Sequence, residues 1–170
     1  AIDTSAGEDT RGYYVGISQG CIMGGALTAL SPDADRGILG VPGINYSTLL
    51  RRSVDSDEYF KLPGLGLYAN YPDQAERVLL LSLMQLLWDR GEGNGYAHNL
   101  TDNPLPGTNP HEVLMRVAVG DHQVSNYTAE VLARTTGAKR YSPTLVPDRR
   151  WQMNYEAIPE VSTFPAGPGD

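Results

Sequence analysis

The chain is short of the residues on which several classes of protein depend. Its single cysteine, Cys21, excludes an intrachain disulfide among 170 residues. Lysine and arginine number 13 against 20 acidic residues, and the net charge of −7 makes nucleic acid and anionic membrane surfaces poor partners. The longest apolar run, residues 78–88, contains Ser82 and Gln85 and is too short to span a bilayer. The scattered aspartates form no calcium-loop pattern, so we expect no metal and no cofactor.

Glycine is plentiful, and two glycines frame the most informative motif. Gly16 and Gly20 enclose Ser18 in a G-x-S-x-G pattern. An apolar run precedes the motif and a stretch of small apolar residues follows it, which is the strand, turn and helix order of a nucleophile elbow. We expect a side chain at either glycine to collide with the neighbouring strand or helix. The pattern predicts a serine hydroxyl at a helix N-terminus, where developing negative charge is favoured; the alternative is a glycine-rich turn with a solvated serine.

The remaining pattern indicates an α/β protein. Buried strands are predicted at 13–17, 37–41 and 113–119, and helices at 19–30, 46–62 (weakly), 72–90 and 126–136. A strand, a helix and a strand at this spacing form a βαβ unit, so the first two strands should be parallel. The apolar residues of the 72–90 helix cover more than one face, which predicts burial on several sides. Residues 91–110 are predicted as a loop and residues after 138 as mostly irregular.

Two motifs together resemble a known family. Gly16 to Gly20 spells G-I-S-Q-G, and Gly120 to Asn126 spells G-D-H-Q-V-S-N. In these motifs and in the order of its elements, the chain resembles the C-terminal half of an α/β-hydrolase, in particular a group of large, poorly characterised bacterial serine hydrolases. The resemblance covers about residues 11–137. It implies a parallel sheet in which the three predicted strands are the family's fifth, sixth and seventh.

The resemblance also implies an organisation of the chain. Its parts would be an elbow βαβ unit of the hydrolase core at 1–44, a helical cap insertion at 45–110, a core strand and helix with the acid at 111–137, and an irregular C-terminal segment at 138–170. Aromatic residues of the cap would line an acyl or aryl pocket or pack between the cap helices. They are Tyr46, Tyr59, Phe60, Tyr68, Tyr71, Trp88 and Tyr96.

By the same resemblance, the chain would be a serine esterase that forms an acyl-enzyme on a small carboxylic ester. Ser18 would be the nucleophile, and the backbone N–H of Gln19 would donate to the oxyanion. Asp121 would be the acid, with Val124 completing a D-x-x-V setting; its alternative role is that of a turn aspartate. A transferase that passes the acyl group to another acceptor would use the same residues.

Two departures from the family pattern affect the expected partners. About a dozen residues precede the elbow strand, so the family's first four strands and one oxyanion donor are missing. No histidine follows His122, which is the alternative base, although a loop neighbour of Asp121 is poorly placed for that role. We therefore expect a fragment, inactive alone, whose sheet is completed by missing residues or by another chain. The competing function is a non-catalytic structural or binding subunit that retains the hydrolase scaffold.

Overall fold

The computed structural model describes residues 12–142 and 157–163. The strands and helices are, in chain order, β1 (Gly12–Ile17), α1 (Gln19–Leu30), β2 (Ala34–Gly40), α2 (Tyr46–Leu49), α3 (Asp57–Phe60), α4 (Leu67–Asn70), α5 (Gln74–Trp88), β3 (Glu112–Arg116), α6 (Asn126–Thr135), β4 (Arg140–Tyr141) and β5 (Glu160–Val161). Short 3-10 turns lie at Leu50–Arg52, Val54–Ser56, Gly93–Gly95 and Ala97–Asn99.

The protein is mixed α/β, and its centre is a small parallel sheet in the order β1-β2-β3. The βαβ prediction is confirmed, because β1 pairs with β2 in parallel across α1. Ile17 lies beside Gly40, and Gly40 lies beside Arg116, so the carboxyl ends of the three strands form one edge. The residues that follow the three strands therefore lie close together along this edge.

One face of the sheet packs against α1 through small residues. Tyr14 points from β1 onto this helix, and an added Cβ at Gly24 would overlap the Tyr14 ring. Cys21, Ile22 and Leu39 belong to the buried core of this face. The helix ends at Leu30, and the hydroxyl of the next residue, Ser31, accepts hydrogen bonds from the N–H groups of Asp33 and Ala34 and so directs the chain into β2.

The other face of the sheet is bare, which corrects the prediction of fully buried strands. Val15, Ile38 and Leu114 lie side by side in register and are 65%, 36% and 44% exposed. Tyr13 and Ile17 of β1 project from the same face and are about two-thirds exposed. No described helix is seen to cover this row, although parallel sheets are normally buried on both faces.

A buried carboxylate organises the segment that begins after β2. Glu92 is 1% exposed and accepts hydrogen bonds from the backbone N–H groups of Asn45, Tyr46 and Asn94. The side-chain amide of Gln85 donates to the same carboxylate at 2.6 Å. One side chain thus joins the loop after β2, helix α5 and the turn at Gly93–Gly95.

Helix α5 corrects a second prediction. Asp73 caps it by accepting from the N–H groups of Ala75 and Glu76, and it ends at Trp88. Within the described residues only Leu81 and Gln85 of this helix are buried. The opposite side presents leucines that are more than half exposed, so the helix is buried on one side and not on several. They are Leu79, Leu83, Leu86 and Leu87.

Other element boundaries differ modestly from the sequence predictions. The third strand ends at Arg116, earlier than predicted, and the 46–62 segment is divided into short helices and turns. Two 3-10 turns lie within the predicted 91–110 loop. The C-terminal segment contains a parallel two-residue pair, β4 with β5, closed by an ion pair between Arg140 and Glu160. Residues 143–156 and 164–170 of this segment, and residues 1–11, lie outside the described residues. No helix within the described ranges is long and apolar enough to cross a membrane.

Candidate functional site

Ser18 has a backbone conformation that few serines adopt. It stands between β1 and α1 with φ 55° and ψ −126°, and its side chain is exposed. A positive φ in a residue with a Cβ costs free energy, and such residues are concentrated at functional sites. Its N–H donates to the carbonyl oxygen of Gly40 at 3.0 Å, and its own carbonyl oxygen accepts from Cys21 and Ile22 in the first turn of α1. The turn is therefore fixed to both the sheet and the helix.

The two glycines of the motif have different roles. A Cβ at Gly16 would lie 2.5 Å from the carbonyl oxygen of Gly20, a distance that real Cβ atoms do not show. The prediction for Gly16 is confirmed. The prediction for Gly20 is wrong, since a Cβ there would meet only the Tyr14 hydroxyl at 3.8 Å, which is ordinary contact. The strand side of the turn requires glycine, and the helix side does not.

Gln19 follows Ser18 at the start of α1. The first N–H groups of a helix have no intrahelical acceptor, so those of Gln19 and Gly20 are available to an anion at this end. The side-chain amide of Gln19 donates to the hydroxyl of Tyr46 at 3.0 Å. The pKa of Tyr46 is raised above its ordinary value, mainly because the hydroxyl is partly buried. The hydrogen bond from Gln19 opposes this shift, and the negative charge of Glu92 adds to it. The residue predicted to supply the oxyanion N–H is thus tied to the first helix of the 45–110 segment.

Asp121 lies in the loop after β3, on the sheet edge that carries Ser18. The N–H of Val41 donates to the carbonyl oxygen of Arg116, so the end of β2 separates Ser18 from this loop. Oδ1 of Asp121 accepts from the N–H groups of Gln123 and Val124 at 2.8 and 2.9 Å, which is a turn-forming arrangement. Within the described part of the chain no group donates to Oδ2, which leaves that oxygen for another partner.

The three histidines occupy different parts of the fold. His111 is buried, and its ring nitrogens lie 3.1 Å from the carbonyl oxygens of Leu100 and Ser31, so it links the end of α1 to the start of β3. This places it at the opposite edge of the sheet from Ser18. His98 and His122 are exposed. The backbone of His122 accepts from Val54, and the side chain of Gln123 donates to Asp55, so this loop is held against the 45–110 segment.

Cys21 and the acidic residues give no second reactive centre. Cys21 is buried beneath the elbow, and burial raises the pKa of its thiol to about 12, so it is a small core residue rather than a nucleophile. Among the described residues no group of three or more His, Cys, Asp or Glu side chains is arranged to hold a metal ion.

Several of the aromatic residues in the 45–110 segment pack against each other. Tyr46 and Trp88 meet edge to face with centroids 5.8 Å apart, as do Phe60 and Tyr68. Tyr68 also lines a hollow between the short helices and α5, which does not include Ser18. Its other lining residues are Arg51, Leu67, Gln74, Arg77 and Leu81.

Comparison with known proteins returns no relative for this chain. No family model, no curated protein and no solved structure matches it.

The sequence did not predict two residues, Val41 at the end of β2 and the buried Glu92. Val41 follows β2 with φ 50°, an outlier for a β-branched residue, so two adjacent strands both end in a strained backbone. Glu92 looks like an ordinary surface residue in a Gly- and Asn-rich loop, yet it is buried. The positive φ of Val41 has no signal in the sequence. The three N–H donors of Glu92 near residues 45 and 94 could be found only once the fold brought them together.

Proposed function

We propose that this chain carries the nucleophile elbow of a serine hydrolase that acts on carboxylic esters through an acyl-enzyme. The observation that supports it most is the backbone of Ser18, an exposed serine at φ 55° between a parallel strand and the first turn of a helix. The 2.5 Å approach of a Cβ at Gly16 to Gly20 gives a physical reason for the first glycine of the motif. A solvated turn serine would need neither feature.

The proposed reaction follows from the position of each group. Oγ of Ser18 attacks the ester carbonyl carbon, and the developing oxyanion is stabilised by the N–H of Gln19 at the N-terminus of α1. A second donor comes from the remaining part of the fold. A histidine, also from that part, takes the serine proton and returns it to the leaving alcohol. Asp121 orients this histidine through Oδ2. Water then releases the acid and restores the serine.

The fold proposed for the complete protein is an α/β-hydrolase, of which this chain forms part. The strand order β1-β2-β3, with Ser18 after the first strand and Asp121 after the third, agrees with this assignment. The bare row of Val15, Ile38 and Leu114 supplies an apolar surface, and within the described ranges no strand pairs with the outer edge of β1. We propose that further strands and helices, from another chain or from residues outside this sequence, cover both.

A non-catalytic scaffold is the second candidate, and one observation favours it. Within residues 12–142 and 157–163 no side chain forms a hydrogen bond with Oγ of Ser18, and His111 is engaged at the far edge of the sheet. A protein that used the hydrolase scaffold only for binding would keep the elbow without a base.

The test is reaction of the chain with a fluorescent fluorophosphonate, with and without added imidazole as an external base. We expect slow labelling that imidazole accelerates, located in the tryptic peptide of residues 12–36. Ser18→Ala should abolish it. Ser31→Ala is the matched control, because Ser31 lies in the same peptide but its hydroxyl is occupied at the end of α1.

Each outcome distinguishes the candidates. Labelling that survives Ser18→Ala removes Ser18 as the nucleophile. A folded wild-type chain that stays unlabelled at saturating imidazole supports the scaffold function. Labelling that Ser31→Ala abolishes instead would assign the reactive hydroxyl to the wrong end of α1 and contradict the proposal.

A further inference from the structure

The exposed side of α5 forms a continuous apolar stripe. Glu76, Leu79, Leu83, Leu86 and Arg90 follow one another in steps of three and four residues, which is the spacing of a coiled-coil seam. Leu81 and Gln85, the buried residues of this helix, are on the opposite side. The stripe therefore points away from the body of the protein, and Leu79, Leu83 and Leu86 are 62%, 56% and 66% exposed. A contiguous apolar patch of this kind on a soluble surface marks an interaction site.

The ends of the stripe carry opposite charges at equal distances from its centre. Glu76 lies seven residues before Leu83, and Arg90, in the turn after the helix, lies seven residues after it. Both side chains are exposed. Leu87, which is exposed beside the stripe, lies four residues after Leu83, as Leu79 lies four residues before it. A second copy of the stripe that runs in the opposite direction therefore matches the first in both its charges and its leucines.

We propose that α5 is a homodimer contact, in which two copies of this chain pair their α5 helices antiparallel about Leu83. A two-fold axis at Leu83 places this residue against its own copy and Leu79 against Leu87 of the second copy. Glu76 then meets Arg90 of the second copy at each end, about 10 Å from the axis. A parallel pairing would instead place Glu76 against Glu76, with like charges opposed.

The proposal is independent of the hydrolase assignment, because none of these residues touches Ser18, Gln19 or Asp121 in the contacts described above. It also accounts for the failure of the burial prediction for this helix. The apolar run 78–88 has leucines on both sides because one side packs on the protein and the other packs on a copy.

Sedimentation velocity of the full chain over a concentration series tests the contact. We expect a reversible monomer–dimer equilibrium. Leu83→Lys should weaken the dimer at least about tenfold, since it places two like charges at the centre of the interface. Val15→Lys, on the bare sheet face, is the matched control and should leave the dimer unchanged. Circular dichroism establishes that both variants are folded, as expected for exposed positions.

A charge exchange tests the antiparallel register. Glu76→Arg and Arg90→Glu should each weaken the dimer about two- to fivefold, and the double variant should restore it, because each end again pairs opposite charges. A chain that is monomeric at every concentration overturns the proposal. So does a dimer that Val15→Lys disrupts and Leu83→Lys does not, or a monomer whose Leu83-dependent binding is to lipid vesicles.

Discussion

The ring of Tyr14 lies directly over Gly24, and its hydroxyl donates to the carbonyl oxygen of Gly20. Tyr14 stands in β1 four residues before Ser18, so this contact holds the strand and the helix on either side of the elbow at a fixed separation. The absence of a side chain at Gly24 is what allows the ring to approach.

Gly24→Ala should therefore destabilise the protein by about 1–3 kcal/mol, because the new methyl group overlaps the Tyr14 ring and displaces it. Urea unfolding followed by circular dichroism measures the effect. The control is the neighbouring Gly25→Ala, whose Cβ would lie 3.7 Å from Gly93. That variant should be neutral or gain up to about 1 kcal/mol from helix propensity. Equal losses at both positions would contradict the packing.

The asymmetry of the motif glycines leads to a second prediction. Gly16→Ala should cost about 1–3 kcal/mol and distort the turn at Ser18, since its methyl group meets backbone rather than a flexible side chain. Gly20→Ala should cost less than about 1 kcal/mol, because its methyl group makes only an ordinary contact. Thermal unfolding of the two variants, together with fluorophosphonate labelling, measures both effects. A larger loss in Gly20→Ala would be inconsistent with this geometry.

The third prediction concerns the buried carboxylate. Glu92→Gln should destabilise the protein by about 1–3 kcal/mol, because the new NH2 group faces N–H donors and leaves at least one of them unsatisfied. Glu112→Gln is the control, since that exposed carboxylate pairs with Arg36 at 2.8 Å on the surface and should contribute less than about 1 kcal/mol. Denaturant midpoints of both variants decide whether Glu92 has the structural role that its contacts indicate.

The fourth prediction concerns the partly buried carboxyl group of Glu130, which should make the stability of the protein depend on pH. Burial raises the pKa of this carboxyl group, and Arg134 and Arg140 only partly oppose the shift. Its Oε2 is buried and has no hydrogen-bond partner among the residues that the structure describes. Because the pKa is higher in the folded state, the protonated carboxyl group favours folding. The free energy of unfolding therefore falls as the pH rises through that pKa.

Glu130→Gln should accordingly melt at a higher temperature than the wild type at neutral pH, and the two melting temperatures should converge below the ordinary carboxyl pKa of about 4.3. Differential scanning calorimetry across this range provides the measurement. Glu58→Gln, at an exposed position, should leave the pH profile unchanged. A Glu130→Gln variant that is less stable at neutral pH would show that the two arginines outweigh burial.

The elements around Ser18 could be predicted because their signals are local. Glycine at position 16, small residues over 21–27 and the break at Ser31 indicate a strand, a tight turn and a helix without reference to the rest of the chain. The parallel pairing then follows from the length of the helical connection. Burial was less predictable, because an apolar residue indicates that a surface is covered but not which surface covers it. Val15 and Leu83 both show this.

The polar interior of the 45–110 segment could not be predicted for a different reason. Glu92 and Gln85 have the composition of a solvated loop and helix face. Their burial is favourable only because each donor finds an acceptor from a distant part of the chain. Asp121 differs from them, because its turn contacts with Gln123 and Val124 are local and could be foreseen.

The carboxylate of Glu92 couples segments that are almost fifty residues apart in the chain. It accepts hydrogen bonds from the backbone N–H groups of Asn45, Tyr46 and Asn94. Because the three bonds share one carboxylate, breaking any of them disturbs the other two. Their exchange with deuterated solvent should therefore proceed as one cooperative opening of the loop after β2 and the turn at Gly93–Gly95.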